Sequence, residues 1–579
     1  MTVTISIFKF LQSTPDLNSN TLCQEKLTER ESNPGSEMKE AEPEMAEEEG
    51  KMQQLRSKAT ELLLREEWKD SIEAYSNFIS VVLNHIFKNH NQNPDPENLL
   101  KQQKSLCLAF SNRAEARFRL REYAAALKDC DEALKIESSH FKTLICKGKI
   151  LFSLNRYGAA LDCFRAANLD PQGTVNFETL NALLEKCKKF DFLSKTGSFD
   201  LSDWIMNGFR EKIPELAEYI GAIEIKISEI SGFGLFATKN VESGSVLLAT
   251  KAIATERGIL PQEEEDSGEN AQLVMWKNFI DKVVESATKC SKTCSLINML
   301  STGGNEIDRQ VPEVGFFRPE AEEEENNFLN QKVDVQKILS ILDMNSLVED
   351  SISAKVLGKY SGYYGVGLWL LPSFINHSCD PNVRRLHIGD HLIIHASRDI
   401  KAGEELTFAY FDVLQPFQNR KKQAENWGFI CSCKRCRFEE NLCHKQEMRE
   451  VEMILGKGLD MGGAVYRLEE GMKRWMVRGK GKGYLRSSFW GAYSEAYQSE
   501  KVMRRWGRKI PSMGIIVDII VDAIGSDERV VKVLVESLKR NGGLNIGCGM
   551  LEMEKVMKFG RGIYGKTMKK QALRTLLQL

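Results

Sequence analysis

A short pattern returns three times in the first third of the chain and largely decides what that part can become. Trp68 stands three residues before Ser71, Tyr123 before Ala126, and Tyr157 before Ala160, each within a helix-turn-helix pattern. The second and third copies lie 34 residues apart. A small residue at this place lets two helices approach closely, and the aromatic ring fills the gap left at the turn. A unit of this size cannot bury its apolar face alone, so successive units must stack. Residues 51–190 are therefore expected to form an all-α array of stacked helix pairs.

The period and pattern resemble the tetratricopeptide repeat (TPR), from about Lys51 to Cys187, with an insertion rich in Asn, Pro and Lys near residues 89–104. That resemblance implies a concave groove holding a peptide or protein partner. Repeats that clamp the acidic tail of a chaperone use five basic and amide side chains. Asn112 and Lys142 match them here, Arg56 stands in for a lysine, and Thr60 and Cys146 replace an asparagine and a basic residue.

With 579 residues the chain is too long for one core, and about three to five domains are expected. At 42% hydrophobic and 28% charged, most of it should fold. A net charge of -2 argues against direct nucleic-acid binding, although residues 451–579 carry 24 lysines and arginines against 13 acidic residues. No apolar run approaches the ~18 residues a spanning helix needs, and the start lacks the flanks of a secretory signal. A cytoplasmic or nuclear location is expected. Residues 1–50 read as a disordered acidic segment, with Met38 and Met45 as alternative starts.

From Gly221 the texture changes to the alternation of strands, in Ile223–Ile227, Val246–Ala249, Leu392–His395 and Glu405–Tyr410. Residues 258–345 read as an insertion with acidic runs, taken as solvated loops, and one helix around Val333–Asp343. After Phe438 helical stripes return, as in Met513–Val521 and Val530–Leu538. The fold class expected is multidomain α+β: a helical array, a β-rich domain at 215–437, and an all-α domain at 438–579.

Four signals in the β-rich stretch carry chemistry. Gly232-Phe233-Gly234 allows close approach to a ligand, or simply makes a hairpin turn. Asn376-His377-Ser378-Cys379-Asp380-Pro381-Asn382 is a run that few contexts require, although the His377 ring could merely satisfy buried backbone groups. Tyr410 ends a Gly-Glu-Glu-Leu-Thr strand, where a tyrosine can be plain packing or a positioned phenol. Cys431, Cys433 and Cys436 offer three thiolates in a C-x-C-x-x-C run, a metal-binding spacing rather than a disulfide one. By contrast Cys107, Cys130, Cys146, Cys163 and Cys187 sit singly in helical patterns and read as core residues.

In this order the four signals resemble the SET-domain protein-lysine methyltransferases, above all the family that pairs a SET with a MYND domain. The resemblance implies an S-adenosylmethionine site formed by Gly232, Phe233, Gly234, Asn376, His377, Tyr410 and Phe429. It makes Tyr410 the catalytic tyrosine, Phe429 the ring against the adenine, and the Asn-His segment part of a knot-like crossing. It also implies one structural zinc on Cys379, Cys431, Cys433 and Cys436, in a post-SET segment at 427–437; Cys443 and His444 stand nearby as alternative ligands, but the more economical reading leaves them out. The C-terminal helices would narrow a cleft for a protein substrate's lysine.

Two departures stand out. Residues 258–345 contain only Cys290 and Cys294, too few thiols for a MYND finger. Trp427 stands where relatives often carry a tyrosine, so the hydroxyl there is missing, which bears on how many methyl groups are transferred. A rival expectation is a catalytically weak SET-fold scaffold acting as a repeat-based adaptor.

Overall fold

The computed structural model describes residues 41–89, 96–169, 177–209, 212–260, 265–304, 310–319, 333–349, 363–442, 445–458, 460–540 and 549–578. The first 40 residues (Met38 among them), most of the two acidic runs, and Cys443 and His444 lie outside them. The described residues divide into two compact units, 41–192 and those from Leu193 onward.

The first unit is helical: α1 (Ala41–Leu64), α2 (Trp68–Asn89), α3 (Pro96–Arg119), α4 (Tyr123–Ile136), α5 (Phe141–Ser153), α6 (Tyr157–Ala167) and the start of α7 (Phe177–Thr196). Helix α1 begins at Ala41, inside the segment expected to be disordered to Gly50. That stretch is rich in glutamate, a good helix former that also suits the positive end of the helix dipole.

Ser71, Ala126 and Ala160 are fully buried, as the close-approach reading requires. The turns α1–α2, α3–α4 and α5–α6 are built alike. Glu66, Arg121 and Asn155, each two residues before the repeat's aromatic, take φ near +60° (62°, 62° and 60°). The next amide reaches back to the carbonyl five residues earlier, Glu67 to Leu62, Glu122 to Arg117 and Arg156 to Leu151, at 2.8–3.0 Å. This is a left-handed helix stop of the Schellman kind, made here without glycine.

The second unit opens with α8 (Ser202–Met206) and holds eleven described strands, β1 (Tyr219–Ile220), β2 (Ile223–Ile227), β3 (Phe233–Ala237), β4 (Val246–Lys251), β5 (Ala254–Ile259), β6 (Leu347–Val348), β7 (Tyr363–Leu368), β8 (Asn376–His377), β9 (Val383–Ile388), β10 (His391–Ala396) and β11 (Thr407–Phe408). They form small sheets ordered β1-β4-β10-β9, β5-β7-β6, β2-β3 and β8-β11. Only the last pair is parallel, with Asn376 opposite Thr407 and His377 opposite Phe408. Strand β11 is shorter than the alternation at Glu405–Tyr410 predicts.

Helices α9 (Glu265–Lys289), α10 (Ser291–Asn298) and α11 (Val335–Asn345) lie between β5 and β6. They pack into the core of the strand region. Trp276, Phe279, Ile280, Val283, Cys294 and Ile341 share one buried core with Leu235, Val366, Trp369, Leu392 and Phe408. Each such side chain, fully buried, contributes roughly 1.5–3 kcal/mol. Two helices follow the strands, α12 (Phe417–Asn426) and α13 (Lys434–Glu440). The rest is helical: α14 (Gln446–Gly456), α15 (Met461–Arg474), α16 (Lys480–Ser488), α17 (Trp490–Gln498), α18 (Glu500–Trp506), α19 (Met513–Ile524), α20 (Glu528–Arg540), α21 (Gly549–Tyr564) and α22 (Lys570–Leu576). Arg529 of α20 grips Asp412 with two bonds of 2.9 and 2.8 Å, tying the C-terminal helices to the strand region.

Candidate active site and metal centre

The parallel β8–β11 pair brings the Asn-His-Ser-Cys run beside the strand that leads to Tyr410. Buried Asn382 fixes the register. Its side chain donates to the Glu405 carbonyl at 2.7 Å and accepts from the Thr407 amide at 2.8 Å. Asn376 donates to the carbonyls of Ser231 and Phe233, both at 3.1 Å, and to the Glu405 carboxylate at 2.8 Å. It thereby ties β8 to the glycine-containing turn.

The two glycines of that turn serve different needs. Gly232 closes the β2–β3 hairpin with φ +50°, a conformation that favours glycine. A Cβ on Gly234 would sit 2.4 Å from the Glu405 carboxylate, so here the close approach is made by the protein's own side chain. Ser228 holds both carboxylate oxygens of Glu405, at 2.8 and 2.9 Å. Glu405 and Ser228 thus join a site that sequence reading built without them.

The His377 ring is fixed in one tautomer. The Tyr410 amide donates to Nδ1 at 3.0 Å, so in the neutral ring the proton sits on Nε2, which points at Cys379 Sγ 3.3 Å away. One ring therefore links the backbone of Tyr410 to the cysteine. Phe411 stacks on this ring at 4.3 Å, and Phe429 and Tyr410 each lie 5.3 Å from it. Trp427 is 5.2 Å from Tyr410, in tilted contact. Phe411 carries no sequence signal of its own, since an aromatic beside a strand ordinarily reads as packing.

The Tyr410 hydroxyl donates to the Ile375 carbonyl at 2.9 Å. Burial pushes the phenol above its usual range, so it stays protonated. With its proton committed to that carbonyl, the oxygen keeps lone pairs that can accept from a neighbouring donor.

The four predicted sulfurs converge. Cys379, Cys431, Cys433 and Cys436 lie within 4.8 Å of one another. Cys379 is 3.6 Å from Cys436 and 3.9 Å from Cys431. A tetrahedral zinc with Zn–S bonds of about 2.3 Å sets its sulfurs about 3.8 Å apart, so the spacing fits this metal. The Cys436 amide points at Cys433 Sγ at 3.4 Å, at the start of α13. Hydrogen bonds from Cys431, then Cys433 and Cys436, hold the Cys379 thiol well below the ordinary thiol range.

In the first unit Asn112, Lys142 and Cys146 line a cleft of about 410 Å³ with Ser111, Ile145 and Leu180. Asn112 and Thr60 both bond the buried Tyr75 hydroxyl, at 2.9 and 3.1 Å. Arg56 bonds Ser105 at 3.5 Å and is not among the cleft's lining residues.

Residues 232–411 match the SET domain family, and the chain carries a SET domain. The SET-domain stretch holds the glycine turn, the Asn-His-Ser-Cys run and Tyr410 described above. A protein described as a methyltransferase from Gibberella zeae is 25% identical over 353 residues, 57% of this chain and 46% of that one. The histone-lysine N-methyltransferase SMYD3 of Homo sapiens is 46% identical over 93 residues, 16% of this chain and 20% of that one. A SET and MYND domain-containing protein of Dictyostelium discoideum is 36% identical over 118 residues, 19% of this chain and 34% of that one. The chain thus spans less than half the length of these relatives.

Proposed function

We propose that this chain is an S-adenosylmethionine-dependent protein-lysine N-methyltransferase with one structural zinc, whose helical repeats hold a peptide or protein partner. The observation that carries the reading is the convergence of four sulfurs beside His377, with Trp427 and Phe429 each set against Tyr410. Gly232, Phe233, Gly234, Asn376, His377 and Phe429 would hold the cofactor, the partly exposed Phe429 ring offering a flat face for a heteroaromatic base. When bound, S-adenosylmethionine supplies a methyl group made electrophilic by its sulfonium.

The protein's share is to present a neutral amine at a fixed angle. A free lysine has a pKa of about 10.4, so at pH 7 only about one in 2,500 is neutral. The rings of Trp427, Phe408 and Phe429, with centroids 5.2, 5.4 and 6.1 Å from that of Tyr410, keep water away, and desolvation favours the uncharged amine. The Tyr410 oxygen, its own proton held by Ile375, accepts from the amine and orients it. Alignment of this kind is worth several kcal/mol.

In the repeat unit, Asn112, Lys142 and Cys146 line a cleft of a size to take an extended peptide. Exposed Lys142 favours an acidic one, such as a chaperone tail, and the reading places the protein in the cytoplasm or nucleus, where thiols stay reduced. The scaffold reading has one observation in its favour, Trp427 packed against Tyr410 where a hydroxyl would otherwise stand.

The test is methyl transfer from labelled cofactor to lysate protein, with cofactor binding measured in parallel by calorimetry. Binding with label on lysine is the expected result. A chain that binds no cofactor and transfers no label is a scaffold.

A further inference from the structure

Around the sulfur cage lies a second cluster, of which only Arg435 falls inside the cysteine run. Arg420 of α12, Arg435 and Glu439 of α13, and Ser488 of α16 are each at most 2% exposed. Arg420 points Nη1 at Cys436 Sγ, 3.3 Å away, and Nη2 at Glu439 and Ser488. Arg435 donates to the Cys379 carbonyl at 3.0 Å, to Glu439 at 2.9 Å and to Ser488 at 2.8 Å. The Ser488 hydroxyl donates back to the Glu439 carboxylate, at 2.8–2.9 Å. One turn earlier on α16, Tyr484 bonds Asp380, the neighbour of Cys379, at 2.8 Å.

We infer that this box is a charge-compensating positioning device for the metal, and that it makes α16 a working part of the cofactor site. A divalent ion on four thiolates carries a net charge of −2. Buried, that charge is costly unless it is answered by donors or opposite charge. Arg420 meets a cage sulfur and Arg435 the Cys379 carbonyl, and Glu439, bonded to both, balances one of the two charges. Arg420, with Nη1 3.3 Å from Cys436 Sγ, would find its counter-charge in the thiolates of the metal-loaded cage. Ser488 locks the geometry by accepting from Arg435 while donating to Glu439. Residues that ligate nothing would thus set how firmly the metal is held, and through His377 the cage is joined to the backbone of Tyr410. Outer-shell partners of this kind typically change metal affinity about 10- to 100-fold.

The inference rests on the zinc reading above, and one experiment separates the two. Zinc release from the purified full chain to a chromophoric chelator is timed, and each variant's melting temperature is recorded. Arg420→Met is expected to release zinc about 10- to 100-fold faster than wild type. Ser488→Ala and Tyr484→Phe, which remove single hydroxyls, should do so by a smaller factor and carry the test if the arginine variant fails to fold. Arg257→Met serves as the control. It breaks the pairs to Glu349 and Asp390, at 2.7 and 2.8 Å in the strand region, and should lower the melting temperature with zinc release unchanged. Cluster variants that melt earlier but release zinc at the wild-type rate would overturn the inference alone. A wild-type chain carrying no zinc would overturn it together with the metal reading.

Discussion

Tyr410 is held at both ends, its amide by His377 and its hydroxyl by the Ile375 carbonyl. Tyr410→Phe keeps the ring and the backbone bond and loses only the oxygen. Methyl transfer is expected to fall at least about 100-fold, the scale of lost alignment, with zinc content and melting temperature near wild type. Unchanged transfer would remove Tyr410 from the mechanism. At this scale the sequence was readable where chemistry is compact. Three cysteines within six residues announce a metal, and the tyrosine follows a recognisable strand. The fourth sulfur, Cys379, was assigned by resemblance, since 52 residues separate it from Cys431. Arg420, Glu439 and Ser488 carried no signal at all, being common residue types on three different helices whose meeting only the fold decides.

Elements repeat the lesson with different physics. The array was legible because its period is written in the chain. The left-handed stops at Glu66, Arg121 and Asn155 were not, since none is the glycine that usually marks such a turn. Helix packing there is tight enough to test. A Cβ on Gly148 of α5 would come 2.5 Å from the Phe164 ring of α6. Gly148→Val should destabilise the repeat unit by about 1–3 kcal/mol, read from its denaturant midpoint; an unshifted midpoint would mean the helices can part freely. The core contribution of α9 is poorly legible because an acidic run precedes the stripe of Trp276, Phe279 and Val283.

A pH dependence belongs to the β1–β4 edge. Glu218 accepts from the Lys251 amide at 2.6 Å, yet burial pushes its carboxyl up to about 7. A carboxyl raised in the folded state contributes stability that is fully present below its unfolded value and lost as pH rises through about 7. Melting temperature should therefore fall between about pH 5 and pH 8, and Glu218→Gln should flatten that slope. An equal slope in the variant would place the titration elsewhere.

Across the whole molecule, one compact unit holds the repeats and the other joins a SET domain to a set of C-terminal helices. The metal centre is where the second unit's separate stretches come together: Cys379 from the strand region, the late cysteines from the segment around α13, and α16 through Ser488 and Tyr484. The most direct measurement is zinc X-ray absorption on the purified full chain. Four sulfur neighbours at about 2.3 Å, with one zinc per chain, are expected. A shell containing nitrogen or oxygen, as His444 would give, or a chain holding no zinc, would contradict the convergence on which the proposed active site stands.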